Sequence, residues 1–223
     1  MVKRRRKNLI AVNNRGTTLI EMLVCFMMLA IFLTAAFSVI THLSKLYYQV
    51  KGETYGKQVS DILLTKIQSE IEGAKSGSDE ILINGNATNS SGTKMTFYDR
   101  TNTKIDLYSE DSLLKIKYHS FTDEVTGVNK NENTWKFDKN VYNGFEVKNL
   151  QFLKAANLGK AGNESATSLA QSYGVSVSEG DYGNDVMLVL LELDSHHYGT
   201  YKSYRFIKMY NVDPNPSGGG TNP

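Results

Sequence analysis

The sequence of 223 residues has very little cysteine and proline. Its one cysteine, Cys25, excludes an intrachain disulfide. Its three prolines begin at Pro214, so no proline can kink a helix before that residue. The chain has no Cys/His cluster at zinc spacing, no Gly-x-Ser-x-Gly motif and no phosphate-binding loop. The usual signatures of zinc proteins, serine hydrolases and nucleotide-binding enzymes are therefore missing.

A strong net charge is also missing, because the formal net charge is only +2. Residues 1–16 contain six basic residues and no acidic one. Removing these six from the chain's 25 basic residues leaves 19, against 23 acidic residues. The basic character thus belongs to a short leader, and the rest of the chain lacks the charge pattern of a nucleic-acid-binding protein.

A long uncharged segment follows the leader. No Asp, Glu, Lys or Arg occurs between Met22 and Leu43. A helix of this length spans about 33 Å, which is close to the hydrocarbon thickness of a bilayer. The cluster from Lys3 to Lys7 precedes it, so the positive-inside rule places the N-terminus in the cytoplasm and later residues outside. We expect a single-pass membrane protein.

Two common kinds of apolar N-terminal segment offer other interpretations. The apolar part of a cleaved secretory signal peptide is usually about 7–15 residues long and ends at a small-residue cleavage site. The segment here is longer, and no such site follows it. A signal anchor that is never cleaved stays open as an interpretation.

The residues around the leader's end separate these interpretations. The run Arg15-Gly16-Thr17-Thr18-Leu19-Ile20-Glu21-Met22-Leu23-Val24 resembles the cleavage signal of type IV prepilins. In that family a glycine closes a short basic leader, and a carboxylate occupies the fifth position of the mature chain. Gly16 and Glu21 match these two positions, whereas Thr17 stands where the family usually has Phe.

The resemblance implies how the chain is processed and assembled. Prepilin peptidase would cleave after Gly16 and create a free amine on Thr17. Glu21 would then pair with the amine of a neighbouring subunit, and a charge pair strengthens as the dielectric constant falls. An acid solvated by headgroups explains Glu21 alone, but it explains neither Gly16 nor the spacing. The implied partners are prepilin peptidase, other pilin or pseudopilin subunits, the inner or cytoplasmic membrane, and its assembly platform.

The helix is expected to continue beyond the membrane as an amphipathic segment. An apolar stripe at spacings of three and four predicts a helix from about Thr17 to Glu72, with Gly73 and Gly77 near its end. Gly52 and Gly56 are candidates for a bend. The stripe consists of Tyr55, Val59, Ile62, Leu63, Ile67 and Ile71.

After residue 78 the apolar pattern changes to the period of two that is typical of β-strands. The intervals 84–93, 122–134 and 154–185 are predicted as loops, with a short helix at Ala161–Gln171. Val186–Leu193 and Tyr201–Tyr210 are expected to form a hairpin across the turn Asp194–Gly199. The other predicted strands are Lys94–Tyr98, Lys104–Tyr108, Leu113–Phe121 and Phe145–Leu153.

These patterns predict an α+β fold in which a long N-terminal helix packs with its second half on an antiparallel β-sheet, as in the pilin family. We divide the chain into a leader (1–16), a transmembrane or filament-core helix (17–43) and its amphipathic continuation (44–77). An extracytoplasmic β-rich domain (78–213) and a disordered, Gly/Pro/Asn-rich tail (214–223) follow.

Few residues suggest a chemical site. Asp181, Asn184 and Asp185 offer oxygen ligands that would suit calcium, but the loop lacks the full EF-hand pattern and an ordinary Asx-rich turn is favoured. His196 and His197 are adjacent and would point to opposite faces of a strand, which is poor geometry for a shared metal. We expect no cofactor.

The expected function is that of a structural and assembly subunit, most like a larger minor pilin or pseudopilin, and not that of an enzyme. The mature chain of 207 residues, which is 223 minus the leader's 16, resembles those larger subunits in length. One alternative is an extracytoplasmic binding protein with an unprocessed signal anchor. Another is an exported enzyme, which would need a cleft around His119, His196 and His197.

Overall fold

The computed structural model describes residues 19–75, 81–122, 129–177 and 182–211, so the leader and the tail lie outside the described residues. One long helix, α1 (Leu19–Ile71), occupies most of the first segment. This confirms the predicted helix over that range. The chain divides into two compact units between Tyr47 and Tyr48, and α1 contributes to both.

Among the described residues of the second unit, α1 is joined by antiparallel strands and one further α-helix, so the expected α+β class is confirmed. The short helix is α2 (Glu164–Gln171), which begins three residues later than predicted. The strands are β1 (Leu82–Ile83), β2 (Ser91–Gly92), β3 (Lys94–Tyr98), β4 (Lys104–Glu110), β5 (Leu113–Tyr118), β6 (Phe121–Thr122), β7 (Asn129–Lys130), β8 (Asn133–Lys136), β9 (Glu146–Lys154), β10 (Val186–Ser195) and β11 (Gly199–Lys208).

The prediction of one β-sheet is wrong. Within the described residues the strands form a five-stranded sheet in the order β1-β3-β4-β5-β8, a four-stranded sheet in the order β11-β10-β9-β2, and the separate pair β6-β7. β2, which lies inside a predicted loop, forms one edge of the four-stranded sheet by pairing with β9, more than fifty residues away in sequence. The predicted loop 122–134 likewise contains β7 and the start of β8.

The second half of α1 and the inner faces of both larger sheets share one apolar core. Five α1 side chains in this core are nearly inaccessible to solvent: Val59, Leu63, Leu64, Ile67 and Ile71. The predicted stripe is wrong at Ile62, which is 44% exposed, whereas Leu64 is buried in its place. At about 100° per residue, Leu64 and Ile62 lie at opposite margins of the stripe, so the buried face of α1 is rotated toward Leu64 relative to the prediction.

A second apolar cluster lies on the other face of the four-stranded sheet. It contains Leu188 and Leu190 of β10, which pack with Ala166 and Ala170 of α2. The alternate β10 residues, such as Val189 and Leu191, belong to the main core. Because both faces of β10 are buried, its sequence is almost continuously apolar instead of alternating.

The glycines at the start of the second unit allow close packing, and α1 continues through both of them. A Cβ atom on Gly52 would lie 2.8 Å from the Cβ atom of Tyr198, and one on Gly56 would lie 2.7 Å from the Cγ atom of Tyr201. One helical turn later, the hydroxyl of Ser60 forms a hydrogen bond with that of Ser203. These residues therefore bring α1 against β11 and the turn before it, while a bend at the glycines stays a prediction.

Candidate membrane segment and functional site

The first half of α1 has an exposed apolar surface. Sixteen large apolar side chains between Leu19 and Leu43 are each at least 43% exposed. The helix contains an 18-residue window with a mean hydropathy of 2.6, none of which is buried. By length and composition the helix could cross a membrane, so one membrane-spanning segment is compatible with the structure.

Three polar side chains within this apolar half form hydrogen bonds with the helix backbone. The hydroxyl of Thr34 donates to the carbonyl oxygen of Ala30 at 2.8 Å, and that of Thr41 donates to Phe37 at the same distance. The Nδ1 atom of His42 lies 2.9 Å from the carbonyl oxygen of Ser38. Bonds to the carbonyl four residues earlier let such side chains enter an apolar medium without needing water.

The predicted processing and assembly residues lie at the beginning of this segment. Glu21 is an exposed residue of α1, two residues after the helix's first described residue. Gly16 and Thr17 lie outside the described residues. The structure thus places Glu21 at the margin of the apolar surface, and its pairing with a neighbouring subunit stays a prediction.

The loop proposed for calcium is described only in part, because Asp181 lies outside the described residues. The Asp185 carboxylate is buried, and its Oδ2 atom lies 3.5 Å from the Nζ atom of Lys208. Asn184 lines a cavity of about 210 Å³ beside Met187 and Met209. Within the described residues no group of three or more His, Cys, Asp or Glu side chains could hold a metal ion.

His119 and the pair His196 and His197 make different contacts. His119 follows β5 and contacts Asp106, with its Nε2 atom 3.0 Å from Oδ2. His196 and His197 lie in the turn between β10 and β11, with ring centroids 5.3 Å apart. Two partly open cavities of about 170 and 210 Å³ are lined by no histidine. Both are smaller than typical small-molecule sites of about 300–1,000 Å³.

Sequence reasoning missed a buried charged cluster on the outer face of the five-stranded sheet. The Asp106 side chain, only 4% exposed, lies 2.7 Å from the Nζ atom of Lys94. It also accepts a hydrogen bond of 2.7 Å from the hydroxyl of Thr96. Burial raises the pKa of Asp106, but the hydrogen bonds from Lys94, His119 and Thr96 outweigh burial and hold this pKa below its ordinary value.

The pairing of β3 with β4 could have revealed this cluster. Thr96 lies directly opposite Asp106, because the two predicted strands form a short antiparallel hairpin. Residues opposite each other on one face are close enough to interact. His119 follows the third predicted strand, so its contact with Asp106 depends on the register of β5, which the sequence pattern alone does not fix.

Comparison with family models, curated proteins and solved structures found no match to this chain.

Proposed function

We propose that this chain is a membrane-anchored assembly subunit of the type IV pilin-like class, most like a minor pilin or pseudopilin. One observation carries the proposal: a 53-residue helix has a first half with an exposed apolar surface and a second half that packs into the core of an α+β unit. The N-terminal sequence around Gly16 and Glu21 supports the same class. The filament could belong to a pilus, a competence pseudopilus or a secretion system.

The exposed apolar half needs a covering in the functional state. Leaving one large apolar side chain in water instead of burying it costs about 1.5–3 kcal/mol. Sixteen such side chains therefore require lipid or other apolar helices around them. A pilin-like subunit uses both coverings in turn, with lipid before assembly and neighbouring helices in the filament core.

In the proposed topology the N-terminus lies in the cytoplasm and the unit that begins at Tyr48 lies outside. Prepilin peptidase removes residues 1–16, and the assembly platform transfers the mature subunit from the membrane to the filament. The new amine on Thr17 and the carboxylate of Glu21 are four residues apart in the sequence. Each can then meet the opposite charge of an adjacent subunit, which fixes the axial register of the two helices.

The test is the N-terminal residue of the protein in its native host. Mass spectrometry of the membrane fraction and of sheared filaments should find mature chains that begin at Thr17. A Gly16→Leu variant should accumulate as full-length protein, because a bulky residue prevents close approach of the peptidase. Native chains that keep Met1 would contradict the proposal and favour an unprocessed signal-anchored binding protein. A Gly16→Leu variant that is shortened normally would contradict the assigned cleavage site.

A further inference from the structure

Strand β11 is a long edge strand. It lies at the end of the four-stranded sheet, and within the described residues no strand pairs with its outer side. It contains no proline, and its pairing with β10 continues over ten residue pairs without a register shift. Edge strands that avoid further pairing are commonly short, bulged or interrupted by proline. β11 has none of these features, so its backbone is suited to accept another strand.

The three basic side chains of β11 contact their own unit. Arg205 donates hydrogen bonds to side chains of α1. The Nζ atom of Lys202 lies 4.9 Å from the centroid of the Tyr173 ring, and that of Lys208 lies 3.5 Å from the carboxylate of Asp185. Charged side chains, lysine above all, often protect the edge of a sheet. Here these contacts draw them toward the unit itself.

The backbone of β11 offers hydrogen-bonding groups at every second residue. The N–H of Met209 donates to the carbonyl oxygen of Asp185, next to the terminal pair of β10 and β11. Hydrogen-bonded and non-hydrogen-bonded pairs alternate between antiparallel strands, so the odd-numbered residues of β11 bond to β10. The groups that point to the free edge therefore belong to the even-numbered residues, which are Thr200, Lys202, Tyr204, Phe206 and Lys208.

Strand β8 is an edge of the five-stranded sheet. In the part of the chain that the structure describes, its outer side is also unpaired. The N–H of His119 donates to the carbonyl oxygen of Lys104, which sets the alternation between β4 and β5. Carried across β5 to β8, this alternation directs the backbone groups of Thr134 and Lys136 to the free edge. Both residues are exposed.

β11 runs in the same direction as the part of α1 that it contacts. Gly52 of α1 lies against Tyr198, one residue before β11. Four residues later on α1, Gly56 lies against Tyr201. Both chains therefore advance together along this contact.

β8 runs against α1. The Nζ atom of Lys66 lies over the ring of Trp135, 4.8 Å from its centroid. Asn133 pairs with Tyr118, whose hydroxyl donates to the carboxylate of Glu70 at 2.9 Å. From residue 133 to residue 135, β8 thus passes from the level of Glu70 back to that of Lys66. The two free edges have opposite directions relative to the same helix.

We propose that β11 of one copy of this chain pairs with β8 of a second copy, which joins the four-stranded sheet of one subunit to the five-stranded sheet of the next. The inference rests on the proposed function, because successive subunits of a filament share one orientation. With the α1 segments of both second units parallel, β11 and the second copy's β8 run in opposite directions and form an antiparallel ladder. Pairing of two different edges is a heterologous contact, which repeats from copy to copy and builds an open filament.

The charges favour one register of this ladder. In that register Glu132, which immediately precedes β8, faces Lys208 of the other copy, and both side chains are more than half exposed at 52% and 63%. The same register places Lys136 opposite Tyr204. Opposite charges and cation–aromatic pairs across strands are stabilising. A shift of two residues either way separates Glu132 from Lys208, and in one direction it places Lys136 opposite Lys202, which is unfavourable.

The experiment is disulfide cross-linking of the full chain in its native host, in a Cys25→Ser background. One matched variant combines Tyr204→Cys with Lys136→Cys, and the other combines Lys208→Cys with Glu132→Cys. Facing residues of such pairs have Cα atoms about 5.5 Å apart, which suits a disulfide. The controls exchange the partners, 204 with 132 and 208 with 136, so that the cysteines are offset by four residues or about 13 Å.

Filaments and membranes are treated with a mild oxidant and separated by non-reducing electrophoresis. We expect dimers, trimers and larger products from both matched variants, at several-fold higher yield than from the controls. Circular dichroism checks that each variant is folded, and either matched variant tests the same register if the other does not fold.

The outcomes separate the contact from the proposed function. Folded matched variants that begin at Thr17 but cross-link no better than the controls would overturn the strand pairing alone. Dimers of the single variant Tyr204→Cys would also overturn it, because they would show that two β11 strands pair with each other. Cross-linked chains that keep Met1 would support the pairing and contradict the proposed processing.

Discussion

At the scale of single residues, Asp106 shows how a buried carboxylate can be stabilised on the outer face of a sheet. Asp106 lies on β4, and its neighbours come from the strands on either side: Lys94 and Thr96 on β3, and His119 after β5. A buried charge without partners would cost several kcal/mol, so the three contacts together make the site tolerable. The side-chain contacts of this cluster link β3, β4 and the end of β5.

Replacing Asp106 with Asn should destabilise the second unit by about 1–3 kcal/mol at neutral pH, because Lys94 loses its charged partner. The measurement is urea unfolding of the full chain in detergent, followed by the fluorescence of Trp135, the chain's one tryptophan. Lys104→Gln is a control, since it removes a charge from the same strand without changing this cluster. Equal stabilities of wild type and Asp106→Asn would contradict the expected role.

The same carboxylate should make stability depend on acid pH. Its folded-state pKa is lowered, so the unfolded state binds the proton more tightly. The stabilisation is therefore fully present above the unfolded pKa of about 3.9 and is lost as the pH falls through the lower folded pKa. Urea unfolding between pH 6 and pH 3 should show a steeper loss for wild type than for Asp106→Asn. Parallel pH profiles of wild type and Asp106→Asn would contradict a role of Asp106 in the pH dependence of stability.

Glu21 is the residue on which assembly is expected to depend. Glu21→Gln keeps the shape of the side chain but removes its charge, so membrane insertion and cleavage after Gly16 should remain intact. The amount of subunit in sheared filaments relative to membranes should fall, and Glu21→Asp, which keeps the charge at shorter reach, should lose less. If Glu21→Gln enters filaments as well as wild type, the charge pair is not needed for incorporation.

At the scale of elements, the contact between α1 and β11 depends on residues of α1 with small side chains or none. Gly56→Ala would place a methyl group 2.7 Å from the Cγ atom and 2.8 Å from the Cβ atom of Tyr201. Atoms this near the start of a side chain cannot move away without shifting the backbone. Overpacking of this kind costs about 1–3 kcal/mol, and the better helix propensity of alanine offsets only about 1 kcal/mol of it. We therefore expect net destabilisation in the same urea experiment.

Gly73→Ala is the matched control for this prediction. A Cβ atom on Gly73, just after α1, would approach only the carbonyl oxygen of Glu70, at 3.4 Å. Its effect on the free energy of unfolding should be within about 1 kcal/mol. Should Gly56→Ala prove as stable as Gly73→Ala, close approach of the helix would not limit packing at this position.

The elements themselves were largely predictable because their patterns are local. The bounds of β3 match the sequence prediction, and β10 and β11 form the expected hairpin. Ile62 was assigned to the buried face and Leu64 was left out of it, because the sequence shows the helix's period but not which margin of the apolar stripe meets the sheets. Gly52 and Gly56 show the same limit, since the close partners that explain them lie more than 140 residues away.

At the scale of the whole chain, the division into two larger sheets was beyond sequence reasoning. The apolar pattern does not show which strands pair, and β2, a two-residue strand, pairs with β9 at one edge of the four-stranded sheet. A strand of two residues is too short to show alternation of apolar and polar residues. It can therefore be recognised only from its pairing with a distant strand. Among the predicted site residues, the structure places Glu21 on the apolar helix, whereas Gly16 and Thr17 stay predictions.

The last prediction concerns the independence of the second unit. Removing residues 1–45 deletes the apolar segment but keeps the α1 side chains from Val59 to Ile71, which fill the core between the two larger sheets. We expect a soluble monomer with strong β signal in circular dichroism, a cooperative urea transition and a mass in solution of a single chain. Ile62 offers a sensitive comparison: Ile62→Ser in the shortened chain should change stability little, whereas Leu63→Ala should cost about 2–5 kcal/mol, because Leu63 is fully buried. An insoluble or unfolded product would show that the core needs the first half of α1. Similar effects of the two substitutions would show that α1 packs differently from the arrangement described above.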